Sequence, residues 1–139
     1  MVQIQDKLGT RQVHLKNVLQ QLTVEYKTAN SERMALSKVY LGTDEKFSLT
    51  EELELLTIDI CGYANQIKNS GTVQNIDLAI AQLRELNVLG NVSIIQFYGD
   101  TPTEYPKIQA YIRLLDYLRL LTLEYAQNHR DSDSLFLSS

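Results

Sequence analysis

The sequence predicts an all-α protein, a helical bundle of four to five helices, and three observations support that fold class. Apolar residues recur at steps of three and four over most of the chain, which is the spacing of one helical face. Capping residues and glycines interrupt this pattern at intervals typical of helix ends. The one run with strand-like composition, 91–99, has no second run to pair with. We therefore expect a short irregular or β-like connector at 91–99 and helices elsewhere.

The first periodic segment extends to about residue 30. Its apolar face is formed by Ile4, Leu8, Leu15, Leu19, Leu22 and Tyr26. Gly9 weakens the first turn, so the firm part of the helix is expected to begin near Thr10. Asn30 and Ser31 could cap a new helix, but nothing there forces a break. The sequence leaves open whether residues 30–41 continue the first helix.

The second helix has the clearest signals. Gly42 and the polar residues after it predict a loop, and Ser48 with Glu51 forms a capping box. An apolar seam then follows through Leu49, Leu53, Leu56, Ile60, Tyr63 and Ile67. Gly71 suits a left-handed cap, so this helix is predicted to span about 49–69.

Two further helices are predicted. Thr72 or Asn75 caps the third helix, which is expected to end at Gly90. Its buried face is predicted to consist of Ile76, Ala79, Ile80, Leu83 and Leu86. The last helix is expected to start properly at Pro106 and to continue to about Asn128.

Composition predicts one soluble domain. The chain has 139 residues, of which 44% are hydrophobic and 22% are charged, as is usual for a globular protein. We expect a single helical domain at 1–130 and a flexible polar C-terminal tail at 131–139. A net charge of −4 with no adjacent Lys or Arg makes nucleic acid an unlikely partner. Asp116 and Arg119 interrupt the most apolar window, which favours a cytoplasmic protein without a membrane span.

Cys61, the only cysteine, is the best chemical lead. Asp59 lies two positions before it, and residues two apart on a helix are separated by about 200° around the axis. No neighbouring histidine or cation supplies the positive environment that a reactive thiolate needs. We interpret Cys61 as a packing residue that continues a stripe of Leu55 and Ile58, where Gly62 would let a neighbouring helix approach closely.

No pattern in the sequence predicts a catalytic, cofactor-binding or metal site. His14 and His129 belong to no Glu-x-x-His or His-x-x-x-His pair, the spacings that place metal ligands on one helical face. The six glycines are dispersed and form no phosphate-binding loop. We therefore expect a protein that is not an enzyme and that needs no cofactor.

The last helix is apolar nearly all round. Beyond its ordinary seam it carries five further apolar residues, which we predict as an interface: Leu114, Tyr117, Leu120, Leu121 and Leu123. A helix of this kind lies either at the centre of its domain or in an interface. The same periodicity is equally compatible with burial within the monomer.

The predicted function is a non-enzymatic protein–protein interaction or regulatory module, forming a homodimer or docking a protein partner. One alternative is a winged-helix-like nucleic-acid binder, with 76–89 as the recognition helix and the following residues as the wing. Arg84 is the only base of that helix, which disfavours groove binding. The other alternative is a helical bundle that binds a small apolar ligand, which would require a cavity.

Overall fold

The fold is all-α, as predicted. The computed structural model describes the backbone of residues 2–39, 44–100 and 103–138, and side chains within 9–36, 49–99 and 103–131. The described residues form six helices and no strand: α1 (Val2–Thr28), α2 (Asn30–Val39), α3 (Asp44–Ser70), α4 (Ile76–Glu85), α5 (Val92–Asp100) and α6 (Pro106–Ser138).

Helices α1, α3 and α6 pack against one another and form the centre of the bundle. Helix α4 packs on α6, α5 packs on α3, and α2 touches all three central helices. The largest fully buried apolar side chains come from α1, α3, α4, α5 and α6 and from the α4–α5 connection: Leu15, Ile60, Ile80, Leu83, Val88, Ile94, Ile108, Ile112, Leu115 and Leu118. Among the described residues, no helix is long and apolar enough to cross a bilayer.

The junction of α1 and α2 resolves the question that the sequence left open at residue 30. Ala29 separates the two helices and is buried. Its N–H donates to the carbonyl of Glu25 at 2.9 Å, and the N–H of Arg33 donates to the carbonyl of Ala29 at 2.9 Å. Helical hydrogen bonding therefore continues through the junction, although the chain forms two helices there.

The start of α3 differs from the prediction. Helix α3 begins at Asp44, so Ser48 is its fifth residue and the proposed capping box does not mark the helix start. The predicted loop is helical from Asp44 onward, and Gly42 and the side chain of Ser48 lie outside the described residues. The capping pattern misled because Ser and Glu three apart also occur within helices, where tertiary packing overrides local preference.

The end of α3 agrees with the prediction. The helix ends at Ser70, and Gly71 takes a left-handed conformation with φ of +85°. The N–H of Gly71 donates to the carbonyl of Ile67 at 2.7 Å, which closes the last turn. The predicted seam is buried at Leu49, Leu53, Leu56, Ile60 and Ile67, with Tyr63 half-buried.

The connector predicted at 91–99 is wrong, because residues 92–100 form α5. The Asn91 carboxamide oxygen accepts hydrogen bonds from the N–H groups of Ser93 at 2.9 Å and Ile94 at 3.3 Å, which is an N-terminal cap. Ile94 and Phe97 then lie three residues apart on the buried face. The cap and this packing outweigh the strand preference of the β-branched residues.

Helix α6 begins at Pro106, as predicted, but continues to Ser138. The predicted end near Asn128 is therefore wrong, and the backbone of the predicted tail 131–139 is helical through Ser138. Helix α4 ends at Glu85, before the predicted Gly90. Helix ends without a strong stop signal are the least determined part of a periodic pattern.

The first turn of α6 is capped by a residue from another helix. The Glu32 carboxylate accepts hydrogen bonds from the N–H groups of Lys107 at 2.9 Å and Ile108 at 3.2 Å. These N–H groups have no partner within their own helix, and a carboxylate there is also favoured by the helix dipole. Glu32 thus fixes α2 against the start of α6.

We expect Glu32→Ala to lower the free energy of unfolding by about 1 kcal/mol, because the amides of Lys107 and Ile108 lose their acceptor. The matched control is Glu124→Ala, an exposed position on α6, which should change stability by less than about 0.5 kcal/mol. Urea denaturation followed by circular dichroism measures both variants. Equal midpoints for Glu32→Ala and wild type would contradict the capping role.

Candidate docking surface

The predicted interface on α6 separates into buried and exposed residues. Leu121 is only 7% exposed and belongs to the core, so it does not lie on a contact surface. Leu114 and Leu123 are half-buried and pack against the core. Tyr117 and Leu120 are 45% and 48% exposed. Of the predicted set, these two present the most surface to another molecule.

His14 joins α1 to α6, a role that the sequence did not indicate. Its Nδ1 lies 3.1 Å from the Tyr125 hydroxyl, and its Nε2 lies 3.2 Å from the Tyr117 hydroxyl. A neutral imidazole has one donor and one acceptor, so it can bond to both tyrosines at once. The Arg11 guanidinium lies 5.4 Å from the centre of the Tyr125 ring. This cluster holds two helices together at residues more than a hundred positions apart.

The outer face of α3 is the most exposed apolar part of this helix. Leu55 is 57% exposed and Ile58 is 67% exposed, so the expectation that a neighbouring helix would cover them is wrong. Gly62 is also exposed, and a Cβ added to it would have no atom within 4 Å. Glu51, Leu55, Ile58 and Gly62 follow steps of four, three and four, and we call this line of residues the α3 stripe.

An apolar groove lies between α1 and α3 on one side of the α3 stripe. Its volume is about 650 Å³, and it is open to solvent. Its apolar and aromatic lining comes from α1, α3 and α6: Leu19, Leu22, Tyr26, Ile58, Cys61 and Tyr111. The charged residues among the lining are Lys16, Glu54 and Lys68. We call this feature the α1–α3 groove.

Cys61 is half-buried in the wall of the α1–α3 groove and packs against the core, as the sequence indicated. Burial raises the pKa of the Cys61 thiol above its ordinary value, because the apolar surroundings disfavour the thiolate. A raised pKa leaves less thiolate at neutral pH, which is the opposite of what a nucleophile needs.

A hydrogen-bonded chain fixes the floor of the α1–α3 groove. The Thr57 hydroxyl lies 2.6 Å from the Leu53 carbonyl and donates its proton to it. The same hydroxyl lies 2.6 Å from the Tyr111 hydroxyl and, having used its proton, accepts from Tyr111. Burial raises the pKa of Tyr111 to about 12. The floor is therefore neutral and connects α3 directly to α6.

A second groove lies between α3 and α4 on the other side of the α3 stripe. Its volume is about 620 Å³, and Ile58 lines it as well as the first groove. Its polar lining contains two carboxylates, Asp59 and Glu85, and no lysine or arginine among the described lining residues. Burial and the nearby Asp59 raise the pKa of Tyr63, which lies in the same wall. We call it the α3–α4 groove.

Within the described part of the chain, no group of three or more His, Cys, Asp and Glu side chains could hold a metal ion. Cys61 is the groove's thiol, and its raised pKa does not favour attack. What the geometry does offer is an exposed apolar ridge with a groove on each side.

No protein-family model, no curated protein and no solved structure matches this chain.

The raised pKa of Tyr111 makes stability depend on pH in the alkaline range. Between pH 10 and about pH 12 the unfolded chain ionises this tyrosine while the folded protein keeps its proton. Its contribution is complete below pH 10 and is lost as pH rises through this window. Relative to Tyr111→Phe, the wild type should lose roughly 1–2 kcal/mol of unfolding free energy across the window. Urea denaturation at several pH values measures the difference, and a constant difference would contradict the assignment.

Proposed function

We propose that this protein is a non-enzymatic interaction module that docks a protein partner on the α3 stripe. The observation that carries the proposal is the exposure of Leu55 and Ile58 on adjacent turns, with a groove on each side of Ile58. The fully buried side chains of α3 face α1 and α6, whereas these two point outward. A cytoplasmic location suits the free thiol of Cys61.

The energetics favour contact of the α3 stripe with another apolar surface. Burying a fully exposed leucine or isoleucine side chain contributes about 1.5–3 kcal/mol. Because Leu55 and Ile58 are 57% and 67% exposed, covering both would contribute roughly 2–4 kcal/mol before the costs of association. Neither residue supports the core in its exposed position. The grooves beside Ile58 would let a partner's side chains interdigitate with this ridge rather than rest on a flat surface.

The two alternative functions gain less support. The wing of a winged-helix protein would have to form from residues that are helical in α5. A small apolar ligand requires a site that buries most of its surface, whereas the α1–α3 groove is open to solvent. An open groove of this length is better suited to a segment of a protein partner that lies along it.

We expect Ile58→Gln to remove partner binding without unfolding the protein, because its side chain is 67% exposed. Val24→Gln is the matched control, since Val24 is 60% exposed on α1 and lines neither groove. The measurement is affinity purification from the native host with wild type and both variants, followed by binding assays with the purified candidate. The proposal fails if every protein captured by wild type is captured equally by Ile58→Gln.

Self-association through α6 is a second candidate, supported by the exposure of Tyr117 and Leu120. A two-fold contact would pair these residues with their own copies. We expect wild type to be a dimer at micromolar concentration and Leu120→Glu to be a folded monomer, because a carboxylate at that contact would lack a partner. Light scattering measures the oligomeric state of both proteins, and circular dichroism checks that the variant is folded. A monomeric wild type would exclude this interface.

A further inference from the structure

We propose that the partner of the α3 stripe is a basic amphipathic helix, with its apolar side on Leu55, Ile58 and Gly62 and with Lys or Arg residues over Asp59 and Glu85. This inference rests on the proposed function, because it names the chemistry of the molecule that would dock there. It follows from the charge around the stripe and from the space above Gly62.

The charges on α3 beside the stripe are acidic, whereas Lys16 and Lys68 line the α1–α3 groove. Residues 49–67 contain four acidic side chains and no Lys or Arg. Glu51, Glu54 and Asp59 are all exposed, and Glu85 adds a carboxylate from α4 across the α3–α4 groove. A partner with an acidic flank would be repelled here, and one with a basic flank would be attracted at the rim of an apolar contact.

The shape of the stripe fits a helix. Gly62 lies in the interior of α3, where glycine lowers helix stability, and it has no neighbouring atom within 4 Å of an added Cβ. No described helix of this chain uses the close approach that this glycine permits. A partner helix could therefore reach the lower end of the usual distance of about 8–10 Å between helix axes.

The length and the ends of the contact constrain the partner further. The α1–α3 groove extends along α3 from Glu54 to Lys68, which corresponds to about 21 Å of helix, or about four turns. Lys16 and Lys68 both line it, and Lys68 lies towards the C-terminal end of α3. The basic residues of the partner are thus expected near Glu54 in this groove and near Asp59 across the α3 stripe, and a cation over Lys68 would be repelled.

The test uses two designed peptides of about 18 residues with the full-length protein. Both peptides have leucines at helical spacing of three and four. One has lysines beside the leucine stripe, and the matched peptide has glutamates at the same positions. Fluorescence anisotropy at low salt should give a dissociation constant at least about tenfold lower for the lysine peptide. This preference should shrink near 1 M salt, where the Debye length is about 3 Å.

Protein variants then locate the binding site. The double variant Asp59→Asn with Glu85→Gln should weaken binding of the lysine peptide about three- to tenfold. It should not weaken binding of the glutamate peptide. Ile58→Gln and Gly62→Gln should each weaken binding of the lysine peptide at least about tenfold. Ile58→Gln removes apolar contact, and Gly62→Gln places a side chain in the space that the partner helix would occupy. Glu124→Gln and Val24→Gln are matched controls on other exposed faces and should bind as wild type.

Four results would overturn the inference, and they are distinguishable from failure of the proposed function. Equal or tighter binding of the glutamate peptide, still abolished by Ile58→Gln, rejects the basic partner but keeps the α3 stripe as a docking site. Lysine-peptide binding that survives Ile58→Gln places the contact elsewhere. Failure of both peptides to bind rejects a helical partner. A wild-type dimer that Ile58→Gln converts to a monomer rejects a separate basic partner, because a second copy of this chain would then occupy the stripe.

Discussion

The packing of α6 between three other helices is the constraint on which the rest of this bundle depends. Ile108, Ile112, Leu115 and Leu118 are at most 1% exposed, and α6 contacts α1, α3 and α4 over their inner faces. A helix that is apolar nearly all round needs such neighbours on most of its circumference. Within the described chain it finds them, and only the side that carries Tyr117 and Leu120 stays exposed.

Packing around α6 determines which faces of the other helices are buried in the core. Helix α3 packs against α1, α5 and α6, and its seam is buried. The seam residues and the α3 stripe lie on different sides of the same helix, so one cannot be buried by the neighbours of the other. Leu55 and Ile58 lie outside this buried seam and stay largely exposed.

Sequence periodicity predicted the helices and their buried faces well, because the core seam repeats at every turn. The seam of α3 and the Gly71 cap are examples. It failed where the deciding partner is distant in sequence. Packing on α3 favours a helix in the strand-like run that forms α5, and the local capping pattern at Ser48 was overridden. Nor could periodicity distinguish an apolar stripe covered by a neighbour from one left open, since both have the same spacing.

Polar contacts at intervals along α6 explain why the exposed face of α3 is held in one arrangement. Glu32 bonds to the first turn of α6, Thr57 to Tyr111 and His14 to Tyr117, and the Arg119 guanidinium donates to the Leu83 carbonyl of α4 at 3.1 Å. Apolar packing alone tolerates small shifts in register, whereas each of these bonds is satisfied at one register only. Four such bonds on one helix fix α1, α2, α3 and α4 relative to it. The proposed docking surface on α3 would therefore be ordered before a partner arrives, which would lower the entropic cost of binding.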